Sequence, residues 1–196
     1  YSFNSGDGDI LYDHSGNGNH GTINGATWAG CTDPLASNYL PDAELDDGSC
    51  VGSPVNESDF TYAGELDGHY YYYSNNDLYW EDAVNLAQNN SGHMVTIKDE
   101  QENGFLKNIC ISQYQWIGYS DKENEGEWKW VTAEDIDYEN WDELQPDDVG
   151  SGQDEGIMIC YTGLWDDAGF PWNYTDLKLN FILELELGCT DSTAFN

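Results

Sequence analysis

"QPDDVGSGQDEGIMICYTGLWDD", residues 145–167, packs six carboxylates into one short span that contains no Lys, Arg or His. Carboxylates that close repel one another, so a folded chain that keeps them together needs a compensating positive charge. No side chain in the span supplies it. A hard divalent cation would: calcium takes about six to eight oxygens at roughly 2.3–2.6 Å, and its charge offsets the crowding. The oxygens come from separated points, with Gln145 and Asp147 astride a proline, Asp154 or Glu155 at the entrance of an apolar run, and Asp166 with Asp167 after Trp165.

The rest of the chain has the same electrostatic character. Lys plus Arg number 5 and Asp plus Glu 38, a formal charge of −33, well beyond what the solubility of a small domain requires. Such a field repels nucleic acid and anionic lipid and attracts cations; nucleic-acid binding, which needs a basic footprint, is excluded. Aromatic residues make up 14% of the chain, with eight Trp, whereas disordered acidic chains are poor in aromatics, so a folded protein is expected. No stretch approaches the ~18 uninterrupted apolar residues of a membrane span, so no membrane insertion is expected. Any secretion signal is expected upstream of Tyr1 or already removed.

Cys31 and Cys50 bracket "CTDPLASNYLPDAELDDGSC", which is dense in Asp, Pro, Asn and Gly and too poor in apolar residues to hold a shape unaided. A disulfide across it is expected to contribute about 3 kcal/mol. Neither Cys-x-x-Cys nor a Cys/His cluster occurs, which disfavours zinc; the expected setting is oxidising and extracellular, secreted or at a cell surface. "GCTDPLASN" at 30–38 recurs as "GCTDSTAFN" at 188–196, with identity at Gly, Cys, Thr, Asp, Ala and Asn. The second copy lacks a closing Cys, so the partner of Cys189 is expected beyond Asn196. The unit at 30–50 resembles the Cys-bracketed acidic repeat that strings modules together in large secreted bacterial surface proteins. Residues 1–29 carry short candidate strands at "YSF", "ILY" and "GTI" and resemble the opening of a laminin-G-like β-sandwich. They are expected to be a fragment of a neighbouring module, or strands that complete a sheet elsewhere.

After a linker at 51–58, residues 59–187 read as one domain. "YYYY" at 70–73 is a strand. Trp80, Ala83, Val84 and Ala87 fall at helical spacing, with Asp77 available as a cap. "MVTI" is strand-like, and "KDEQENGFLKN" is a second helix with acids in its first turn and Lys107 near its end. From residue 116 onward, short strands at "WIGY", "EWKWV", "IMICY" and "FILELE" alternate with loops. The class is α+β, with two helices and short antiparallel sheets, a small disulfide-closed acidic repeat and an N-terminal β segment. Most Trp residues are expected in the core.

The motifs "W.DA" at Trp80–Ala83, "GHMVTI" at 92–97, "WIGYSD" at 116–121, "W.WV" at 128–131, "NW" at 140–141, "QPD" at 145–147 and "WDD" at 165–167 together resemble a C-type lectin-like domain. The likeness covers about two thirds of the chain. The usual disulfides of that family are missing, because Ala87, Gly156, the stretch after Asp167 and Leu183 stand where Cys is expected. Cys110 and Cys160 either form a private cross-link or are two small buried residues.

The resemblance implies a principal calcium site of Gln145, Asp147, Asp154, Asp166 and Asp167, with a cis proline turning the first two side chains toward the ion. The choice between Asp154 and Glu155 stays open, because "GSGQDEG" reads as one residue longer than the commoner spacing. An auxiliary ion is implied at Asp121, Glu125, Asp148 and Glu155, with Asp154 shared. Two vicinal sugar hydroxyls would complete the principal shell while hydrogen-bonding to Gln145, Asp147, Asp154 and Asp166. "QPD" resembles the galactose-type variant, which generally adds an aromatic ring against the sugar. Val149 stands where that ring is sought, and Phe170 or Trp172 are the other candidates.

The expected function is calcium-dependent carbohydrate binding by a lectin-like module of a secreted or surface-displayed bacterial adhesin. The alternative is a structural subunit of an extracellular fibre or array, with neighbouring copies as partners and calcium only stabilising the fold. No enzyme is expected: Gly-x-Ser-x-Gly, His-Glu-x-x-His and phosphate-loop motifs are absent, and His14, His20, His69 and His93 have no metal or triad spacing.

Overall fold

The structure, a computed structural model, describes residues 6–7, 10–11, 16–22, 29–148, 152–168 and 177–186. The chain divides into two compact units, Tyr1–Gly52 and Ser53–Asn196. The boundary falls inside the stretch expected to be a linker, and Val55 is already buried in the core of the second unit.

In the first unit, strands β1 (Gly6–Asp7), β2 (Ile10–Leu11) and β3 (Gly21–Thr22) form a small antiparallel sheet. The candidate strand "YSF" lies outside the described residues. β4 (Ala29–Gly30) and β5 (Leu45–Asp46) pair in parallel across the acidic loop. Its polar side chains replace a core by binding backbone. Asn38 donates from Nδ2 to the Ser49 carbonyl at 2.7 Å and accepts the Val51 N–H at 2.7 Å, while Asp46 and Asp47 accept the N–H groups of Gly48 and Ser49. The Cys31–Cys50 disulfide closes the unit. The second "GCTD" copy lies outside the described residues.

The second unit is built on the sheet β6-β7-β13-β8, comprising β6 (Phe60–Leu66), β7 (His69–Ser74), β13 (Ile182–Glu186) and β8 (His93–Met94). Along β13 the side chains alternate between two cores. Leu183 and Leu185 join Phe60, Tyr72, Ala83, Ala87, Met94 and Phe181 on one face; Ile182 joins Tyr71, Val95, Ile97, Leu106, Ile117 and Trp165 on the other. Helix α1 (Trp80–Asn89) buries Ala83 and Ala87 in the first core, as its spacing predicts. Its N-cap is Tyr79, with no side-chain cap, rather than Asp77. The chain just after Asp77 is held in a bridge between Leu78 and Leu179, so the helix starts two residues later than the sequence suggests.

Helix α2 (Glu100–Ile109) is capped by Asp99, which accepts the Glu102 N–H at 2.9 Å. Glu102 is buried and doubly anchored, accepting the Lys98 N–H at 2.9 Å and the Tyr71 hydroxyl at 2.6 Å.

A second sheet, β10-β9-β11-β12, carries the acidic loops. It comprises β9 (Tyr114–Ser120), β10 (Lys129–Trp130), β11 (Glu155–Ile159) and β12 (Trp165–Ala168). It joins the first where the Trp116 N–H donates to the Asn180 carbonyl and the Gly118 N–H to Val95, each near 3 Å. A Cβ on Gly118 would stand 2.9 Å from the Met94 carbonyl oxygen, so the two sheets approach this closely only because residue 118 is glycine. Cys110 and Cys160 are disulfide-bonded, with Cα atoms 5.7 Å apart.

Candidate functional site

The 140–148 loop is fixed by β12. Trp165 is fully buried, and its indole N–H donates to Asn103 Oδ1 at 2.8 Å. Its backbone N–H donates to the Asn140 carbonyl at 2.8 Å, and its carbonyl accepts the Asp142 N–H at 2.7 Å. The side chains of Asn103 and Asn140 both donate to the Gly163 carbonyl. These bonds fasten the chain leading to Gln145 to the strand that carries Asp166 and Asp167.

A turn closed by Gln145 N–H to the Asp142 carbonyl at 3.0 Å then leads into the Gln145–Pro146 bond, which is cis. Asp167, only 2% exposed, is the pivot on which the acidic loops meet. Its Oδ2 accepts the N–H groups of Asp147 and Asp148 at 3.1 and 2.8 Å, and its main-chain carbonyl accepts Gln153 Nε2 at 3.3 Å. Asp148 Oδ1 accepts the Gly152 N–H at 3.0 Å. Asp121 Oδ2 accepts the Gly126 N–H at 2.8 Å, and the Asp121 N–H donates to the Asp154 carbonyl. Carboxylates facing backbone donors in this way order the loops.

The electrostatics divide the expected ligands into two groups. Burial, then the charges of Asp167, Asp147 and Asp142, push Asp166 up to about 6. Desolvation, then Asp148, Asp121 and Asp154, push Glu125 above the ordinary carboxylate range; burial, then Asp121 and Asp148, do the same for Asp154. Thus Asp142, Asp147 and Asp167 act on Asp166, whereas Asp121, Asp148 and Asp154 act on Glu125, and Asp121 and Asp148 on Asp154. Glu155 is raised to about 7 chiefly by burial, with the charges of Asp154, Glu81 and Asp121 adding to the rise against the lowering effect of Lys122. It lines a cavity of about 320 Å³ with Asp154, Tyr79, Trp80, Trp116 and Lys122, where Lys122 is ion-paired to Glu81.

Among the described residues, no three His, Cys, Asp or Glu side chains converge closely enough to hold a metal ion by themselves. The donor atoms nevertheless suit a hard cation. Asp121 Oδ1, Gln145 Oε1 and Gln153 Oε1 are buried oxygens with no hydrogen-bond partner among the described residues. Buried acceptors of this kind cost of order 1–3 kcal/mol each unless something satisfies them. Gln153 was not among the expected ligands. From the segment where the choice lay between Asp154 and Glu155, it is Gln153 that hydrogen-bonds Asp167; a neutral amide gives no signal when carboxylates are being counted. Val149, Phe170 and Trp172 lie outside the described residues.

The Lectin C-type domain family model matches residues 76–168. Those residues form a C-type lectin domain. The family consists of non-enzymatic binding domains, and its members commonly bind calcium. The lectin domain is 33% identical to the mouse scavenger receptor C-type lectin carbohydrate-recognition domain, with a TM-score of 0.57 over 64% of this chain and 95% of that one. It resembles the cow CD23 carbohydrate-recognition domain, crystallised in the presence of a GlcNAc2Man3 oligosaccharide, at 26% identity and a TM-score of 0.58, covering 67% of this chain and 95% of that one. The human C-type lectin domain family 10 member A is 35% identical over 104 residues, which make up 50% of this chain and 32% of that protein. The chain therefore spans about a third of the length of that relative.

Proposed function

We infer that the lectin domain is a calcium-dependent carbohydrate-recognition module, of galactose type, in an extracellular multi-module protein. One observation carries this reading. Three oxygens from separate segments, Asp121 Oδ1, Gln145 Oε1 and Gln153 Oε1, are buried without a hydrogen-bond partner among the described residues, in loops rich in carboxylates. Oxygen-only donors with carboxylates at hand are what calcium selects.

The principal ion would be held by Gln145, Asp147, Asp166 and Asp167, joined by Gln153. The auxiliary ion would be held by Asp121, Glu125, Asp148 and Glu155, with Asp154 shared. When bound, calcium supplies oxygen-coordinating positions that vicinal sugar hydroxyls can fill. The protein contributes the rest. Asp147 and Asp166 accept hydrogen bonds from the same hydroxyls, Gln145 donates through its amide, and the cis bond at Pro146 with the Asp167 contacts presets the loop so that binding orders little chain. The "QPD" sequence supports the galactose-type assignment.

The disulfides support an oxidising, extracellular location, and the recurring "GCTD" unit supports a modular, surface-displayed adhesin. A glycan array probed in calcium and again in chelator tests the proposal: galactose-type binding that disappears in chelator is expected. Calcium-dependent stability without binding to any glycan would favour the structural-subunit reading.

A further inference from the structure

Leu144 is 85% exposed, more than any other large hydrophobic residue described. It is also one of the few non-glycine residues with positive φ, at 74°, in the turn closed between Asp142 and Gln145. A turn of this kind favours glycine at that place, since a branched L side chain there is strained. The position thus combines an unfavourable backbone with unfavourable exposure, directly before Gln145. From Asp142 to Asp148, Leu144 and Pro146 are the only apolar residues, in a rim otherwise made of carboxylates and one amide.

We propose that Leu144 is a specificity-determining residue of the glycan site, its isobutyl group packing on a methyl substituent of the bound sugar. This rests on the carbohydrate-binding reading of the domain. The oxygens of Gln145, Asp147 and Asp166 recognise hydroxyls, which a plain hexose and a methyl-bearing one share, and so cannot tell the two apart. An aliphatic tip offers no flat ring face for stacking, but it matches a methyl group. Burying one methyl against it favours the substituted sugar by about fourfold. That methyl has two sources, the acetamido group of an N-acetylhexosamine and C6 of a 6-deoxyhexose.

Calorimetric titration of the intact chain in calcium tests this, using galactose, N-acetylgalactosamine and 6-deoxygalactose with the wild type and Leu144→Gly. The wild type is expected to prefer one methyl-bearing sugar over galactose by about fourfold or more, and the sugar preferred identifies the source. In Leu144→Gly the ratio falls to near one, while the thermal midpoint holds or rises because glycine adopts this φ without strain. The role of Leu144 is overturned by a wild type that binds all three sugars equally, or by a preference that survives the substitution. Binding of no sugar by the wild type would overturn the carbohydrate reading itself, and this proposal with it.

Discussion

Gln153 donates its side-chain amide to the main-chain carbonyl of Asp167 at 3.3 Å and keeps its own Oε1 buried without a partner among the described residues. One end of the side chain thus locks the strand that carries Asp166, and the other presents an oxygen to the rim between the acidic loops.

Calcium should therefore stabilise the fold measurably. At a concentration about a hundredfold above the dissociation constant, linkage gives about 2.7 kcal/mol, or a rise of roughly 5–10 °C in thermal midpoint. Gln153→Leu, which keeps the volume but removes both polar atoms, should lose most of that rise, as should Asp121→Asn to a lesser degree. Identical melting of the wild type in calcium and in chelator would show that these oxygens hold no ion.

The pH dependence should change sign with calcium. In the folded chain Glu155 keeps its proton up to about pH 7 and Asp166 up to about pH 6, against ordinary values of 4.5 and 3.8. Between those limits the folded form binds more protons than the unfolded one. In chelator, stability should therefore be greatest near pH 4–5 and fall as pH rises through 6 and 7. Protons compete with the ion for ionised oxygens, so the stabilisation by calcium should grow over the same window. Melting curves at pH 5, 6, 7 and 8 check both; a calcium increment that stays flat across them would contradict the assignment.

Trp165→Phe should cost about 2–4 kcal/mol, because it opens a cavity and leaves Asn103 Oδ1 without its indole donor. Since β12 also fastens the 140–142 loop, calcium affinity should drop together with stability. Denaturant unfolding and a calcium titration on the same variant measure the two effects; a stability loss with unchanged affinity would mean that the loop is not positioned through this strand.

Removing the Cys110–Cys160 bridge, which spans a sequence separation of 50, should cost about 4 kcal/mol in the chain-entropy picture. The Cys110→Ala, Cys160→Ala double variant, compared with the wild type by chemical denaturation, reads this directly. A loss below ~1 kcal/mol would show that the crossing elements are already held by packing.

What could be read in the sequence was what local periodicity and recurring motifs encode. Trp80, Ala83 and Ala87 mark α1 because one face of a helix must be apolar, and the acids at the start of "KDEQENGFLKN" with Lys107 near its end mark α2. The tyrosines at 70–73 and the "WIGY" stretch fall in strands whose two faces are both covered. What escaped depends on partners distant in the chain. The Leu78–Leu179 bridge moves the helix start from Asp77 to Tyr79, and only the fold brings Cys110 within reach of Cys160. Gln153 looks like one more solvated side chain until Asp167 is placed beside it. The carboxylates of the rim stood out by density alone, but the pairing of Lys122 with Glu81 beside them joins residues 41 positions apart and is settled only by the fold.

The position of β13 has a consequence for how the domain is made. The strand lies between β7 and β8, pairing Ile182 with Tyr73 and Leu183 with Met94. The sheet therefore cannot close until the final segment of the domain has been synthesised. Both cores stay open on a nascent chain, and loop closure over more than a hundred residues must precede the gain from burial. Maturation should be slow and end in a single late step, leaving a long interval in which its tyrosine-rich first hairpin needs protection from self-association.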